Sequence, residues 1–349
     1  MKKIILCIIL LFMTSACFDY NEINNIAILN GLGIDYQDNN YIVTYELINT
    51  DKQSENNDVS KKSYTITNEA PTLEEAILKN NNTIPKKISF ENISIMVISQ
   101  RIAKLGLTKI TDYFIRDNNL TTNFYVVLTD DTPQKILNYQ DAMKNINAET
   151  ITKLITNSNA NITLTKKAQL DFLMAQIKDN KQDIVLPSIN INNGLEITNL
   201  GVFKNDKINY YLNNDELNTY ALLMNMKNNN ILIENEQGAI KIYQEKTKIN
   251  YIDNKFIINI NLYGKIEDLK QNINVKDINN ITQLENSFQT LIKDNVRKLI
   301  QEAVSNDTDI LGFKKVLKLK NINVDWHLPY QVNINLKLNR IGGLFEVIE

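Results

Sequence analysis

The residues whose types most readily do chemistry are few. Histidine occurs once, at His327, and cysteine twice, at Cys7 and Cys17, in a chain of 349 residues. A cysteine-based triad or a Cys/His zinc cluster would have to be assembled from these three alone. His327 lies in Asp325-Trp326-His327-Leu328-Pro329, with Asp325 on the same side if the segment is extended. A general base is conceivable there, but no nucleophile belongs to the pattern, so His327 reads as a structural or surface residue. Trp326, the only tryptophan, reads as a core or interface anchor. Glu74-Glu75, Asp130-Asp131 and Asp307/Asp309 have the type for paired acid–base work, but nothing in their spacing sets them across a cleft. Gly31-Leu32-Gly33 would open a dinucleotide turn only with a third glycine at position 36, where Tyr36 stands. No spaced Asp/Asn and Gly pattern ending in Glu marks a calcium loop. The expectation is therefore no catalytic residue, no cofactor and no metal ligand.

One position does promise chemistry, and it is covalent modification. Lys2 and Lys3 precede an apolar run, Ile4 to Met13, and Thr14-Ser15-Ala16 leads to Cys17. A bilayer core of about 30 Å needs roughly 20 apolar residues, so this run is too short to span and matches a secretory leader. A cysteine directly after small residues is the bacterial lipobox, although Thr14 stands where that pattern prefers Leu. The Cys17 thiol would receive a diacylglyceryl group and, after cleavage, become the first residue. Two acyl chains hold a protein stably at a bilayer where one holds it marginally. Cys7 leaves with the leader, so no internal disulfide is expected.

Lys plus Arg is 38 and Asp plus Glu is 40, which gives no electrostatic reason to bind nucleic acid. With 43% hydrophobic residues the chain is long enough for real cores, and two or three domains are expected. Glycine is scarce at 10 residues, and Asn stands where other chains would place Asp, Ser or Lys.

The elements that must hold these residues read as a mixture. Ile26–Ile34 and Tyr41–Ile48 are predicted strands around the turn Gln37-Asp38-Asn39-Asn40, and 51–62 is a predicted loop. Thr72-Leu73-Glu74-Glu75 is a capping box starting a helix over Leu73–Asn80. Ile93–Ile98 and Phe124–Leu128 read as buried strands, with helices at Ile102–Leu105 and Lys109–Arg116 broken near Gly106. Asp131-Thr132-Pro133 starts another helix. Helical spacing recurs at Ile151, Leu154 and Ile155, and at Leu170, Leu173, Met174 and Ile177. Asn192-Asn193-Gly194 is a hairpin turn. Ile240–Tyr251 and Lys255–Ile266 form a hairpin around Asp253-Asn254. A long helix runs from Asn279 to Val304. The strict alternation of Val332, Ile334, Leu336 and Leu338 with Asn333, Asn335, Lys337 and Asn339 predicts a strand with one dry face. The class is α+β, with antiparallel or mixed sheets covered by helices on one face. Residues 1–16 are the leader, 17–130 an N-terminal α+β domain, 131–228 a middle domain and 229–349 a C-terminal α+β domain.

Several ordered segments resemble the Ger(x)C family, the lipoprotein C subunit of spore germinant receptors. They are CFDYNEINNIAILNGLGID after the modified cysteine, ISIMVISQRIAKLGLTKITDYFIRD with its Arg116-Asp117 pair, LGVFKNDKINYYLNNDEL, TDILGFKKVL and VNINLKLNRIGG. Phe18 replaces the family's usual Trp, and Lys314 follows Gly312-Phe313 where Gly-Phe-Gly is common. The resemblance implies a three-domain α+β protein on the outer face of the inner spore membrane. It also implies two membrane-embedded partners, the A and B subunits, and no catalytic role. The alternative is a lipoprotein that itself binds a small germinant or solute.

Overall fold

A computed structural model describes residues 26–49, 62–116, 120–140, 145–156, 168–226, 231–270 and 273–339. Cys17 and its leader, the 51–61 part of the expected loop, Asp117 and the last residues of the closing block lie outside the described residues. The fold is mixed α+β, built on two sheets.

The first sheet uses β1 (Ile26–Gln37), β2 (Asn40–Ile48), β3 (Ser63–Ala70), β4 (Lys87–Ser89), β5 (Ile95–Ser99), β6 (Tyr125–Thr129), β7 (Val185–Ile191), β8 (Leu195–Lys204) and β9 (Lys207–Leu212). Its order is β3-β2-β1-β5-β6-β7-β8-β9, with β4 beside the start of β1. The outer hairpins are antiparallel, and β1, β5, β6 and β7 run parallel. The expected boundary at 130/131 falls inside this sheet, because β6 pairs across it with β7 at Leu128 and Ser188. β7 and β8 flank the expected turn at Asn192-Asn193-Gly194; Pro187 inside β7 and the mixed Leu-Glu-Ile-Thr-Asn start of β8 hid these strands in the sequence.

Among the described residues seven helices accompany this sheet: α1 (Leu73–Thr83), α2 (Gln100–Leu105), α3 (Thr108–Arg116), α4 (Pro133–Leu137), α5 (Asn147–Thr156), α6 (Leu170–Asp179) and α7 (Asn214–Leu223). β5 shows how they are arranged. Met96 and Ile98 point into a core with Ile102, Ala103 and Phe114, whereas Ile95 and Val97 point into one with Leu137, Ala148 and Ile151. The centre of the first sheet is thus covered on both faces, where one covered face was expected. The physical reason lies in β5 and β6, which are apolar on both sides, as buried parallel strands must be.

The second sheet runs β10 (Ile231–Glu234), β11 (Gly238–Ile252), β12 (Lys255–Leu269) and β13 (Tyr330–Asn339). β13 pairs parallel with β12, in register from Phe256 with Tyr330 to Lys265 with Asn339. The long helix, α8 (Ile278–Ser305), presents Ile281, Leu284, Phe288, Ile292, Val296 and Leu299 to the core, and α9 (Phe313–Leu319) follows it. The opposite face of this sheet carries the polar half of the alternation. There Asn333 Nδ2 donates to Asn259 at 2.9 Å and Asn335 Nδ2 to Asn261 at 3.3 Å.

Turns confirm the role of Asn in a glycine-poor chain. Every non-glycine residue with positive φ among the described residues is Asn or Asp, including Asp38, Asn39, Asn193, Asp253 and Asn254. These side chains tolerate the left-handed region better than any others that carry a Cβ.

Candidate functional site

The two sheets meet at a polar joint made by β7, β8 and β9 on one side and residues 306–314 on the other. Asp309 N donates to Asp183 Oδ2 at 2.6 Å, and Asp183 N donates back to Asp309 O at 3.0 Å. The Asp309 carboxylate then accepts three successive amides: Gly312 N and Phe313 N on Oδ1 at 2.8 Å each, and Lys314 N on Oδ2 at 2.7 Å. These are donors that the first turn of α9 cannot satisfy internally. Gly312, at φ +80°, makes the left-handed entry that lets all three converge. Burial pushes the Asp309 carboxyl up to about 6, against the pull of the Lys314, Phe313 and Gly312 amides.

Around this ring the two halves are stitched further. Gln182 Nε2 donates to Ile310 O at 2.6 Å, Tyr210 Oη lies 3.2 Å from Thr308 Oγ1, and Asn209 Nδ2 donates to Asn306 O at 3.2 Å. Lys204 Nζ pairs with Asp307 Oδ2 at 2.8 Å. Lys314 Nζ sits 3.7 Å from Asp183 Oδ2 and 5.6 Å from the centre of the Trp326 ring. An aromatic row completes the joint: Tyr251, Phe256, Phe313 and Trp326, with successive centroids 5.5, 4.3 and 6.2 Å apart. Trp326 is therefore a buried anchor, as its uniqueness suggested.

His327 lies at the rim of this joint. Its Nδ1 is 2.7 Å from Asp325 Oδ1 and its Nε2 is 3.4 Å from Asp307 Oδ1, while its ring packs on Trp326 at 4.1 Å. It is held between two carboxylates, and among the described residues no hydroxyl or thiol nucleophile makes a hydrogen bond to it.

The remaining candidates are separated and already engaged. Thr72 Oγ1 accepts from Glu75 N at 3.2 Å, and Glu74 pairs with Arg116 at 3.1 Å. Asp131 pairs with Lys135 at 2.7 Å, and Asp130 N donates to Asn190 Oδ1 at 3.0 Å. Asp307 and Asp309 both belong to the joint. Gly31 and Gly33 are places of close approach: a Cβ would lie 2.9 Å from Leu137 Cδ2 at Gly31 and 2.9 Å from Pro133 Cβ at Gly33. Among the described residues no group of three or more His, Cys, Asp or Glu side chains could hold a metal ion.

Two more joints link the segments that drew attention in the sequence. Asp35, which ends Gly31-Leu32-Gly33-Ile34-Asp35, accepts a fork from Arg101, with Nε to Oδ1 at 3.0 Å and Nη2 to Oδ2 at 2.5 Å. This bidentate pair raises the already high pKa of Arg101 further. Asp206, in the turn between β8 and β9, accepts from Thr108 N at 3.2 Å and from Thr108 Oγ1 at 2.5 Å, closing the Leu105–Thr108 bend. Sequence reading did not single out Asp183, Lys204, Tyr210 or Asp206. Lys204, Asp206 and Tyr210 lie in a block the sequence did single out and Asp183 in none, and that these segments touch one another was not visible.

The fold and its joints describe an α+β protein whose polar residues set domain geometry. Among the described residues no helix is long and apolar enough to cross a membrane. Residues 19–191 match the family described as the spore germination protein N-terminal domain, and residues 198–342 match the spore germination B3/GerAC-like C-terminal family. Spore germination protein KC of Bacillus subtilis (strain 168) is 20% identical over 89% of this chain and 86% of its own length. Spore germination protein GerQC of Bacillus cereus is 21% identical over 72% of this chain and 75% of its own. The crystal structure of the GerBC protein has the same fold, with a TM-score of 0.56 at 15% identity, covering 88% of this chain and 96% of that one. The chain belongs to the Ger(x)C family of spore germination proteins.

Proposed function

We propose that this chain is the lipid-anchored, non-catalytic subunit of a spore germinant receptor. Acylated Cys17 holds it on the outer face of the inner spore membrane. There it is needed for the assembly and nutrient-triggered response of a complex with membrane-embedded A and B subunits. The observation that supports this reading most strongly is the fate of the charged family blocks. Asp35, Arg101, Asp206 and Asp309 of those blocks, with Asp183 outside them, direct their charges to one another, to the Thr108 hydroxyl and to backbone amides. Groups bound in this way fix a shape; general acid–base work needs them aimed at a substrate. A shape held by three joints suits a body that docks on neighbours. Confinement to the membrane plane raises its effective concentration beside them.

Replacing Cys17 by Ala tests the anchor. The expected outcome is loss from the membrane fraction and a weakened nutrient response. Retention of the Cys17→Ala chain after a high-salt wash, in cells without the partner subunits, would contradict it.

A second reading, capture of a small solute by the chain itself, is favoured by one feature. A cavity of about 300 Å3 lies between α7, β10 and α8, with Asp215, Asn218 and Lys298 at its wall and Leu222 and Ile292 at its floor. Calorimetric titration with candidate nutrients separates the readings: saturable, stoichiometric heat favours solute capture.

A further inference from the structure

The exposed side of α9 departs from the polar surface around it. Phe313 and Leu317 are buried, so the helix turns Lys315, Lys318 and Leu319 outward at i, i+3 and i+4 spacing. Leu319 is 77% exposed, more than any other large apolar residue among those described. Lys320 follows it and donates to Tyr251 O at 2.8 Å, which brings in the β11–β12 turn and Ile252, itself 49% exposed. Val324, also 49% exposed, lies in the segment leaving α9, between Ile322, which packs on the core, and the buried Trp326.

Lysines from the other half of the chain stand beside this helix. The carboxyl of Asp179, at the end of α6, is held below its usual range by its hydrogen bond to Lys181 and then by the charges of Lys181, Lys318 and Lys178. Geometry joins the two sides: Gln182, next to Lys181, donates to Ile310 O at 2.6 Å, and a Cβ at Gly312 would lie 3.4 Å from Gln182 Cδ and 3.7 Å from Lys315 Cβ, so Lys178 and Lys181 of the first half stand beside Lys315 and Lys318 of the second. Carboxylates stand beside this surface too: Asp179, already paired with Lys181 at 2.5 Å, Asp253 in the β11–β12 turn, and Asp325, which follows Val324 and is held by His327 at 2.7 Å.

Exposed Leu and Ile set among lysines are the composition of a surface that lies in a lipid–water interface: the apolar groups enter the acyl boundary while the ammonium groups meet anionic headgroups. An acidic protein surface would satisfy the lysines but would leave Leu319 without an apolar destination. We propose that this surface, centred on Lys315, Lys318 and Leu319, docks on an anionic lipid bilayer. Because it draws on both halves, docking would hold the joint in one arrangement. The inference does not depend on acylation at Cys17.

The test uses the chain from residue 17 onward with Cys17→Ser, which keeps every described residue and carries neither the apolar leader nor an acyl chain. It is sedimented at low salt with vesicles of phosphatidylcholine alone and with vesicles containing an equal part of phosphatidylglycerol. Binding to the anionic vesicles is expected, at least about tenfold tighter than to the neutral ones and weakened by added salt. Lys315→Glu with Lys318→Glu should weaken it by about twentyfold or more, at about fivefold for each lysine lost. Leu319→Ser should weaken it as well. Lys246→Glu with Lys248→Glu makes the same charge change on the exposed face of the second sheet and should cost no more than about twofold. Three results would overturn the proposal: no binding to anionic vesicles at low salt, equal binding to both vesicle types, or a control pair as damaging as the α9 pair.

Discussion

Asp183 and Asp309, 126 residues apart, exchange two hydrogen bonds through the amide of one and the amide of the other. This reciprocal pair closes a ring between the two sheets, and the Asp309 carboxylate carries it into the first turn of α9. Removing that carboxylate leaves three amides without an acceptor. Asp309→Ala should therefore destabilise the fold by about 3 kcal/mol, whereas Asp309→Asn keeps one acceptor oxygen and should lose less. Urea unfolding of the two variants checks the order. Equal midpoints for Asp309→Ala and the parent chain would remove the joint from the description.

The fork from Arg101 to Asp35 ties α2 to the end of β1, and the Asp35 side chain is only 4% exposed. Arg101→Ala leaves that carboxylate without its cation and should cost about 2–4 kcal/mol. Arg101→Lys should recover only part of this, since a single ammonium cannot reproduce two parallel bonds. A double-mutant cycle with Asp35→Ala measures the coupling. A coupling near zero would show that the two residues act independently.

Where α7 meets α8, the Glu302 carboxyl is hydrogen-bonded to the Glu216 side chain. That hydrogen bond, then burial and the neighbouring charge, raise the Glu302 carboxyl to about 7. A folded-state pKa above the unfolded value contributes stability at low pH that is lost as pH rises through about 7. The urea midpoint should accordingly fall between pH 6 and pH 8. In Glu302→Gln, which cannot ionise there, the fall should be smaller. An unchanged slope in that variant would exclude this pair as its source.

Gly33 faces α4 with room for no side chain. A Cβ there would stand 2.9 Å from Pro133 Cβ and 3.2 Å from Thr44 Cβ, so α4 or β2 must move. Gly33→Ala should cost about 1–3 kcal/mol, as overpacked sites do. A thermal melt equal to the parent's would contradict the close packing assigned to Gly31-Leu32-Gly33.

Much of the fold was readable where one physical signal dominated. The Asp253-Asn254 hairpin, the long α8 and the alternating β13 stand within a few residues of their predicted bounds, because apolar periodicity alone defines them. Thr132 before Pro133 caps α4 as expected. Other elements lacked such a signal. β3, Ser-Tyr-Thr-Ile-Thr-Asn-Glu-Ala, is an edge strand with little apolar content. α7 was missed although a full capping box, Asn213 with Glu216, starts it. Its apolar residues are buried on several sides and give no single stripe. The polar joints were invisible for a different reason. Asp183 and Asp309 are ordinary carboxylates in sequence, and only long-range pairing makes them neighbours. Cys17, the one residue whose chemistry the sequence does propose, precedes the first described strand.

The most direct measurement is gentle detergent extraction of spore membranes, pulldown of this chain, and mass spectrometry of what comes with it. Two larger integral-membrane proteins should accompany it in constant proportion, and its first residue should be Cys17 carrying a diacylglyceryl mass. A chain recovered alone, with a free thiol at Cys17, would contradict a tethered subunit working beside membrane-embedded partners.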